Sequence, residues 1–358
     1  MKLVIGGDVC IMSDCCEAFS RGDGSASFND VRSVLESADF SLINLECAIT
    51  ESEKPIKKIG PNLKAPLGTG LSLKKAGITH VSLSNNHIFD FGIEGASDTL
   101  RILDENGIIH TGFGKNEADA RRDLVITDGK IKVSVISVCE HEYSYALQNR
   151  MGAREYDPYD TMDDIANAKK ISDYVVVLYH GGKERCQYPS KRLLKLCRSM
   201  VKHGADVVLC QHSHCIGCYE KYENGHILYG QGNFHFVHEE WAGEGYEREM
   251  WNTGLIVYLD FSHTCNFSLI PTEVYGNGIR LVKGEKKEKL LSELMERSTC
   301  LTDGTYLKKF ADFCKSVEGV YRFIPDEIKE SFAHYIDCEA HTDVWRELYK
   351  TWNHINEV

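Results

Sequence analysis

The sequence lacks an apolar run long enough to cross a membrane. Leu3–Ile5 is followed at once by Gly6, Gly7 and Asp8, and no later apolar segment reaches spanning length without charges. A spanning helix needs roughly 20 apolar residues, and an export signal needs a longer apolar core than this N-terminal run provides. We therefore expect a cytoplasmic protein with no membrane span.

Basic residues are in deficit, with 41 Lys and Arg against 53 Asp and Glu and a formal net charge of -12. An acidic surface repels the phosphates of nucleic acids and of anionic lipids, so neither is an expected partner. A small anionic substrate stays open, because bound cations reverse the field locally.

A disulfide framework is also missing, although the chain has 14 cysteines. Such frameworks are typical of small secreted domains, and the cysteines here follow no repeated spacing. Cys215 and Cys218 form a CxxC pair, but no second pair stands at the distance of a zinc ribbon. We expect reduced thiols.

What the sequence does contain is an alternation of apolar strands and helical patterns over its first two thirds. The predicted strands are Leu3–Ile5, Phe40–Leu45, Thr79–Leu83, Lys132–Val138, Tyr174–Tyr179, Val207–Cys210, a short strand that begins at Leu228, and Leu255–Phe261. The predicted helices are Ser27–Ala38, Leu71–Ala76, Gly92–Asn106, Asp164–Ile171 and Ser190–His203. This alternation predicts a layered α/β domain, in which ligands gather beyond the carboxyl ends of the strands.

The pattern changes after Val274 and becomes mostly helical. The helical patterns there are Leu290–Met295, Leu307–Val317, Ile328–Tyr335 and Asp343–Trp352. We predict an α/β domain over residues 1–275 and a helical C-terminal extension over 276–358 that packs on it as a cap. Ala242–Asn252, rich in Gly and Glu, is predicted to be a loop or lid.

Five successive apolar strands end in a carboxylate, an amide or an imidazole. The side chains that follow them are Asp8, Glu46, Asn86, His87, His180, His212 and His214. One such ending is usually a turn or a helix cap, but five together indicate a site for Mn²⁺, Fe²⁺ or Zn²⁺. His212 and His214 face one side if the chain is extended there, whereas on a turn they reach two neighbouring ions.

Three further residues are candidate contacts for a substrate. Asn85 precedes Asn86, and His141 follows the strand that ends at Val138. Arg185 belongs to a charged run after His180, so it either contacts an anion or lies in a solvated turn.

The ordered motifs resemble the CapA (poly-γ-glutamate capsule biosynthesis) branch of the calcineurin-like metallophosphoesterase superfamily. The matching pieces, between about residues 1 and 260, are Gly7-Asp8, Asn44-Leu45-Glu46, the run Ser84 to Gly92, His180-Gly181-Gly182, Gln211-His212-Ser213-His214 and Tyr229 to Phe234. The resemblance implies a four-layer α/β/β/α sandwich with two divalent ions between the sheets. We expect both ions to be Mn²⁺, with Fe or Zn as alternatives.

The resemblance also implies a role for each ligand-type side chain. Asp8 and His214 would bind the first ion, Asn86, His180 and His212 the second, and Glu46 would bridge them where most members have an aspartate. Many members have a histidine at the position of Cys10. A thiolate there can bind metal, but free cysteines are commonly buried, so we expect a buried thiol and a weaker first site.

His87 would stand beside the ions as the catalytic general acid or as an orienter of the leaving group. Asp90, three residues on, would orient His87, or would be a helix-start carboxylate that opposes the dipole. Two ions held by Glu46 would deprotonate a water near neutral pH and neutralise charge on a phosphoryl oxygen.

These inferences predict a metal-dependent hydrolase, a phosphoesterase, linked to capsule or surface-polymer metabolism and acting on a small anionic or polymer-derived substrate. Two alternatives remain at this point. One is a non-catalytic factor for poly-γ-glutamate or capsule assembly, and the other is a metal-dependent γ-glutamyl peptidase. The number of ligand-type side chains favours chemistry over a scaffold.

Overall fold

The computed structural model describes residues 1–12, 15–58, 60–140, 143–262, 264–321 and 338–352. The predicted helix Ile328–Tyr335 and the candidate contact His141 lie outside these residues. No helix within the described ranges is both long and apolar enough to span a membrane.

The strands are numbered in chain order. The first nine are β1 (Lys2–Cys10), β2 (Phe40–Leu45), β3 (Ala48–Ile49), β4 (Lys64–Ala65), β5 (His80–Ser82), β6 (Ile109–Thr111), β7 (Phe113–Gly114), β8 (Leu124–Thr127) and β9 (Lys132–Cys139). The others are β10 (Gly152–Ala153), β11 (Tyr174–His180), β12 (Val207–Gln211), β13 (Tyr219–Tyr222), β14 (Gly225–Leu228), β15 (Asn233–Phe236), β16 (Thr253–Asp260), β17 (Asn266–Tyr275) and β18 (Gly278–Leu281).

The α-helices are numbered in the same way, and Gly24–Phe28 is a 3₁₀ helix. Those before residue 240 are α1 (Cys16–Ser20), α2 (Val31–Glu36), α3 (Thr69–Lys75), α4 (Gly92–Glu105), α5 (Glu117–Ala120), α6 (Asp160–Ile171), α7 (Lys191–Lys202) and α8 (Glu239–Ala242). The rest are α9 (Gly245–Trp251), α10 (Gly284–Ser298), α11 (Cys300–Asp303), α12 (Tyr306–Ser316), α13 (Glu318–Tyr321) and α14 (Glu339–Trp352).

Two large sheets form the centre of the molecule. The eight-stranded sheet has the order β18-β17-β16-β1-β2-β5-β6, with β15 also paired to β1, and the six-stranded sheet has the order β13-β14-β12-β11-β9-β8. Strand β1 is parallel to β2, and β11 is parallel to β12. The strands with polar ends are therefore neighbours in pairs, one pair in each sheet.

The two sheets pack face to face and carry helices on their outer faces. Ile5 of the first sheet and Val176 of the second belong to one apolar cluster between the sheets. The next residue, Val177, packs with Ile165 of α6 in a separate outer cluster, because successive side chains of a strand point to opposite faces. Ile43 of the first sheet likewise packs against the helices that cover the outer face of that sheet. The fold is the predicted four-layer α/β/β/α sandwich.

Several predicted elements differ from the structure. The single predicted helix Ser27–Ala38 is two short helices, because Asn29 between them has a φ of 41°, which interrupts a right-handed helix. Leu228 ends a strand, β14, instead of beginning one. Asn266–Tyr275 is the long strand β17, which the sequence analysis did not predict.

The prediction of a loop over Ala242–Asn252 is also wrong, since α8 and α9 occupy this region. Gly243 and Gly245, with φ of 70° and 54°, separate the two helices. Trp241 and Trp251 pack with ring centroids 6.2 Å apart, and Trp251 also packs on Phe236. Tertiary contact therefore orders a segment whose composition resembles a loop.

The C-terminal helices lie against the second sheet and its helix α7. Strand β18 still belongs to the first sheet, so that sheet extends beyond residue 275, and the division into two domains stays a prediction. Leu290, Leu291 and Leu294 of α10 join the apolar cluster between the sheets.

A buried ionic network connects α14 to the loop that follows β11. The Nε of Arg192 donates to Asp343 Oδ2 of α14 (2.9 Å), and the Nη2 of Arg192 donates to Glu140. The other oxygen of Glu140 accepts the backbone N–H of Gly182 (2.8 Å). The C-terminal helix is therefore joined through two side chains to the segment just after His180.

Asp343→Ala is expected to lower the free energy of unfolding by about 2 kcal/mol, the range for a hydrogen bond to a charged group. The side chain of Arg192 is 21% exposed, so water replaces part of the lost interaction. Chemical denaturation of the full chain measures the effect. Asp312→Ala, an exposed position on α12, is the matched control, and equal effects of the two substitutions contradict the network's role.

Candidate metal centre

The carboxyl ends of β1, β2, β11 and β12 meet at one edge of the sandwich. Asp8 stands in register beside Asn44, two residues before Glu46, and His180 stands in register beside Gln211, just before His212. The side chains brought together are Asp8, Glu46, Asn86, His180, His212 and His214, all 7% exposed or less.

Glu46 lies at the centre of this cluster. Its Oε1 is 3.2 Å from His180 Nε2, 3.8 Å from His214 Nε2 and 4.0 Å from His212 Nδ1. Although Glu46 is wholly buried, neither of its oxygens accepts a hydrogen bond from any described residue. A buried carboxylate that accepts no hydrogen bond is costly, so this arrangement fits a bound cation.

The donor atoms form two overlapping groups. Glu46, His212 and His214 make one, and Asp8, Glu46 and His180 make the other, each with its donor atoms within 4.8 Å of one another. Glu46 is common to both, as a bridging carboxylate must be. The structure thus groups His180 with Asp8, whereas the sequence analysis paired Asp8 with His214 and His180 with His212.

Asn86 and Asp8 connect the two groups further. The Oδ1 of Asn86 lies 2.9 Å from His180 Nε2, so Asn86 is at the same ring nitrogen as Glu46. The Oδ2 of Asp8 lies 3.6 Å from His214 Nδ1. Which ligand holds which ion therefore stays a prediction, while the six side chains themselves are brought together.

Burial and mutual charge shift the titration of these groups. Burial, and then the charge of Glu46, raise the pKa of Asp8 to about 6, and burial raises the pKa of Glu46. Burial lowers the pKa of His180 to about 3, which keeps the ring in the neutral form that binds metal. Burial opposes protonation of His214, but the charges of Glu46 and Asp8 outweigh it and raise its pKa.

His212 and His214 lie on a turn beyond the end of β12, and their contact with two neighbouring ions stays a prediction. Both residues have positive φ, 79° and 51°, a strained conformation that clusters at functional sites. The backbone N–H of His212 donates to Asp8 Oδ2 (3.0 Å), which fixes this turn against the first sheet.

Asn44 and Asn85 support the cluster from behind. The Nδ2 of Asn44 donates to Asp8 Oδ1 (2.8 Å), and the Nδ2 of Asn85 donates to Asn44 Oδ1 (3.0 Å) and to a backbone carbonyl. The Oδ1 of Asn85 accepts the N–H groups of His87 and Ile88. Asn85 uses its amide nitrogen and its oxygen in hydrogen bonds within the protein, and its contact with a substrate stays a prediction.

Cys10 is a buried thiol, as predicted. It lies in the apolar cluster on the helix side of the first sheet, and burial, followed by its neighbour Cys47, raises its pKa well above the usual value. It belongs to neither ligand group. Cys215 and Cys218 likewise belong to no group of three metal-ligand side chains in the part of the chain that the structure describes.

His87 and Asp90 form a buried pair beside the metal ligands. The Nδ1 of His87 is 2.7 Å from Asp90 Oδ2, which also accepts the N–H of Leu63 (2.6 Å). Helix α4 begins at Gly92, with Phe91 as its N-cap. The carboxylate of Asp90 therefore contacts the ring of His87, as an orienting group would, and its role in the reaction stays a prediction.

Lys58 contacts both His87 and Asp90, and nothing in the sequence indicated this. Its Nζ lies 2.5 Å from Asp90 Oδ1 and 3.1 Å from His87 Nδ1, and its side chain is 2% exposed. A lysine in the polar segment between β3 and β4 carries no sequence signal for burial. Only the folded chain brings it to Asp90.

Lys58→Met is expected to lower the free energy of unfolding by about 3 kcal/mol, because it leaves a buried carboxylate without its cation. Combining it with Asp90→Asn removes both charges and should recover part of that loss. Thermal and chemical denaturation measure both variants. Lys54→Met, at a side chain that is 86% exposed, is the control, and an equal effect there rules out the buried ion pair.

A cavity of about 330 Å³ opens in front of the cluster. Its lining residues are Pro61, Leu63, His87, Glu184, Arg185, His214, Phe236, Trp241 and Trp251. The predicted contact Arg185 stands in its wall, with Nη2 donating to the backbone oxygen of Trp241 (2.7 Å). The guanidinium of Arg185, the ring of His87 and one candidate metal ligand, His214, therefore border the same cavity.

The sequence is similar to proteins of bacterial capsule synthesis. The family model described as "Bacterial capsule synthesis protein PGA_cap" matches residues 2–238. The "Capsule biosynthesis protein CapA" of Bacillus anthracis is 28% identical over 245 residues, or 66% of this chain and 60% of that protein. The chain thus spans less than two thirds of that relative.

Two further proteins match over a larger share of this chain. The "PGA biosynthesis protein CapA" of Bacillus subtilis is 26% identical over 308 residues, or 82% of this chain and 77% of that protein. A solved structure titled a putative 5'-nucleotidase from Staphylococcus aureus is 15% identical with a TM-score of 0.46, and the match covers 82% of this chain and 57% of that one. The last likeness carries no functional conclusion.

Proposed function

The chain belongs to the bacterial capsule synthesis protein family PGA_cap, and we propose that it is a divalent-metal-dependent phosphoesterase of surface-polymer metabolism. The observation that carries the proposal is Glu46, whose two buried oxygens accept no hydrogen bond from the described residues. This carboxylate is shared by both groups of candidate ligands.

Asp8, Glu46, Asn86, His180, His212 and His214 would hold two ions. Their mixed oxygen and nitrogen donors suit Mn²⁺, with Fe and Zn as alternatives. When bound, two such ions supply an activated water and neutralise charge on the phosphoryl group. The backbone bond from His212 to Asp8 and the Asn44 bond to Asp8 orient the ligands before the metal arrives.

His87 is the residue that we propose to move a proton. Asp90 and Lys58 occupy the space at its Nδ1, so Nε2 is the nitrogen left for the departing oxygen. The ring lines the same cavity as His214, which supports the proposal that it acts on the leaving group. A general acid in this position stabilises the leaving alkoxide as the phosphorus–oxygen bond breaks.

Arg185 is proposed to bind the anionic part of the substrate. Its guanidinium is held by the backbone of Trp241 and lies 5.5 Å from the centre of the Trp251 ring. A guanidinium fixed in this way loses less entropy when it binds an anion. We propose a cytoplasmic location, since none of the 14 cysteines forms a disulfide bond and reduced thiols persist in reducing compartments.

Hydrolysis of a generic aryl phosphodiester and monoester, each with and without added Mn²⁺, tests the proposal. A γ-glutamyl anilide is the matched amide substrate. Metal-dependent release of the phenol supports the phosphoesterase. Release of the aniline alone selects the γ-glutamyl peptidase, and no turnover of any substrate by metal-loaded protein favours a non-catalytic role in polymer assembly.

A further inference from the structure

One wall of the cavity is aromatic, and the proposed hydrolysis uses it only to hold Arg185, whose guanidinium lies 5.5 Å from the centre of the Trp251 ring. Trp251 and Phe236 pack edge to face with ring centroids 5.3 Å apart, and Trp241 packs edge to face on Trp251 at 6.2 Å. All three line the cavity. Phosphate binding needs cations and N–H donors, so an aromatic wall indicates that another part of the ligand lies here.

This wall adjoins the metal ligands directly. The ring of His214 lies 5.0 Å from that of Trp251, and His87 lines the same cavity. A volume of about 330 Å³ is at the small end of ligand sites. A group seated on the wall is therefore the one attached directly to the reacting phosphoryl group.

The side-chain charges of the cavity, apart from any bound metal ions, oppose a polyanionic chain. Among the described residues that line it, Arg185 is the only lysine or arginine, and Glu184 stands next to it. A poly-γ-glutamate segment carries one carboxylate per residue and would bring like charge against Glu184. A ligand with a single anionic group and an uncharged ring meets Arg185 at one end and the tryptophans at the other.

We propose that Trp241 and Trp251 form a subsite for a flat aromatic ring, so that the substrate is a phosphoester whose leaving group is an aryl alcohol or carries such a ring. The proposal rests on the proposed function. In the reaction, the oxygen of water bonds to phosphorus, the bond from phosphorus to the leaving oxygen breaks, and that oxygen takes a proton.

Trp241 is the residue that sets the preference. It is half-buried, whereas Trp251 is 5% exposed and Phe236 1%, so Trp241 can be replaced with the least damage to the core. His238 stacks on Trp241 with ring centroids 4.2 Å apart, which holds the indole in place. An aromatic pair gains more binding free energy than its buried area accounts for. The extra free energy corresponds to a roughly 10-fold preference for an aromatic over an aliphatic group.

The test is binding of phenylphosphonate and of butylphosphonate, which cannot be hydrolysed, to the full chain loaded with Mn²⁺, measured by calorimetry. We expect the phenyl compound to bind about 10-fold more tightly. Trp241→Ala should remove that preference and Trp241→Phe should keep it. Trp352→Ala, on α14 outside the cavity, should change neither affinity.

Equal affinities for the two phosphonates in the unaltered protein overturn the subsite, as does displacement of phenylphosphonate by oligo-γ-glutamate but not by phenol. Phosphoester hydrolysis with no aryl preference overturns the subsite and leaves the proposed function standing. A clear aryl preference in binding, with no hydrolysis of any phosphoester, supports the subsite and overturns the proposed function.

Discussion

Glu46→Gln is expected to remove bound metal and to lower phosphoester hydrolysis by at least about 10³-fold, the upper range for loss of one preorganised electrostatic group. The substitution keeps the shape of the side chain but removes the charge that both ligand groups share. His212→Ala, which deletes a ligand from one group only, should weaken metal binding and also abolish measurable hydrolysis. Metal titration and the aryl phosphodiester assay measure both effects.

Loss of folding would not account for the loss of hydrolysis in Glu46→Gln. In the metal-free protein, Glu46 is a buried carboxylate without a hydrogen-bond donor among the described residues, so a neutral amide in its place should leave the metal-free fold as stable or more stable. Glu220→Gln is the matched control, because that carboxylate pairs with Arg198 and Tyr229 instead. Full activity in both Glu46→Gln and His212→Ala contradicts the metal mechanism.

His87→Ala is expected to lower kcat for an alkyl phosphoester by about 10² to 10⁴-fold, the range for loss of a general acid, while metal content stays unchanged. His87 is beside the cluster but in neither ligand group. Its Nδ1 is taken by Asp90, which leaves the other nitrogen to protonate the leaving oxygen. Steady-state kinetics and metal analysis of the same preparation separate the two effects.

The leaving group provides the control for His87. An ester of an acidic phenol departs without protonation, so His87→Ala should lose little activity on it and most activity on an alkyl ester. Equal losses on both esters contradict general-acid catalysis and favour a role in orienting the leaving group. A drop in metal content instead places His87 among the ligands.

The position of the site could be predicted because strand ends obey simple geometry. The run Tyr174–Tyr179 is a strand with one residue of error, whereas Leu3–Ile5 is part of a longer strand, Lys2–Cys10, that includes Asp8. Parallel strands present their carboxyl ends at one edge. The polar residues that follow these runs must then converge, as Asp8, Glu46 and His180 do. The α/β class follows from the same alternation of strands and helices, whereas the four-layer arrangement was expected only from the family resemblance.

The remaining features depend on contacts between residues far apart in the sequence. Lys58 reaches Asp90 only because the segment between β3 and β4 packs on the loop before α4. Arg192 and Asp343 are 151 residues apart, and neither has a local pattern that distinguishes a buried ion pair from a surface one. The grouping of His180 with Asp8 depends on ring orientation, which spacing along the chain does not determine.

Metal content by elemental analysis, on protein purified without a chelator, tests the central claim most directly. We predict about two divalent ions per chain, the number that a shared carboxylate can bridge, and none in Glu46→Gln prepared in parallel. One ion per chain would mean that Asp8, Glu46 and His180 share a single site with His212 and His214. No bound metal, or equal content in the unaltered protein and Glu46→Gln, would contradict the assignment of this cluster as a metal centre.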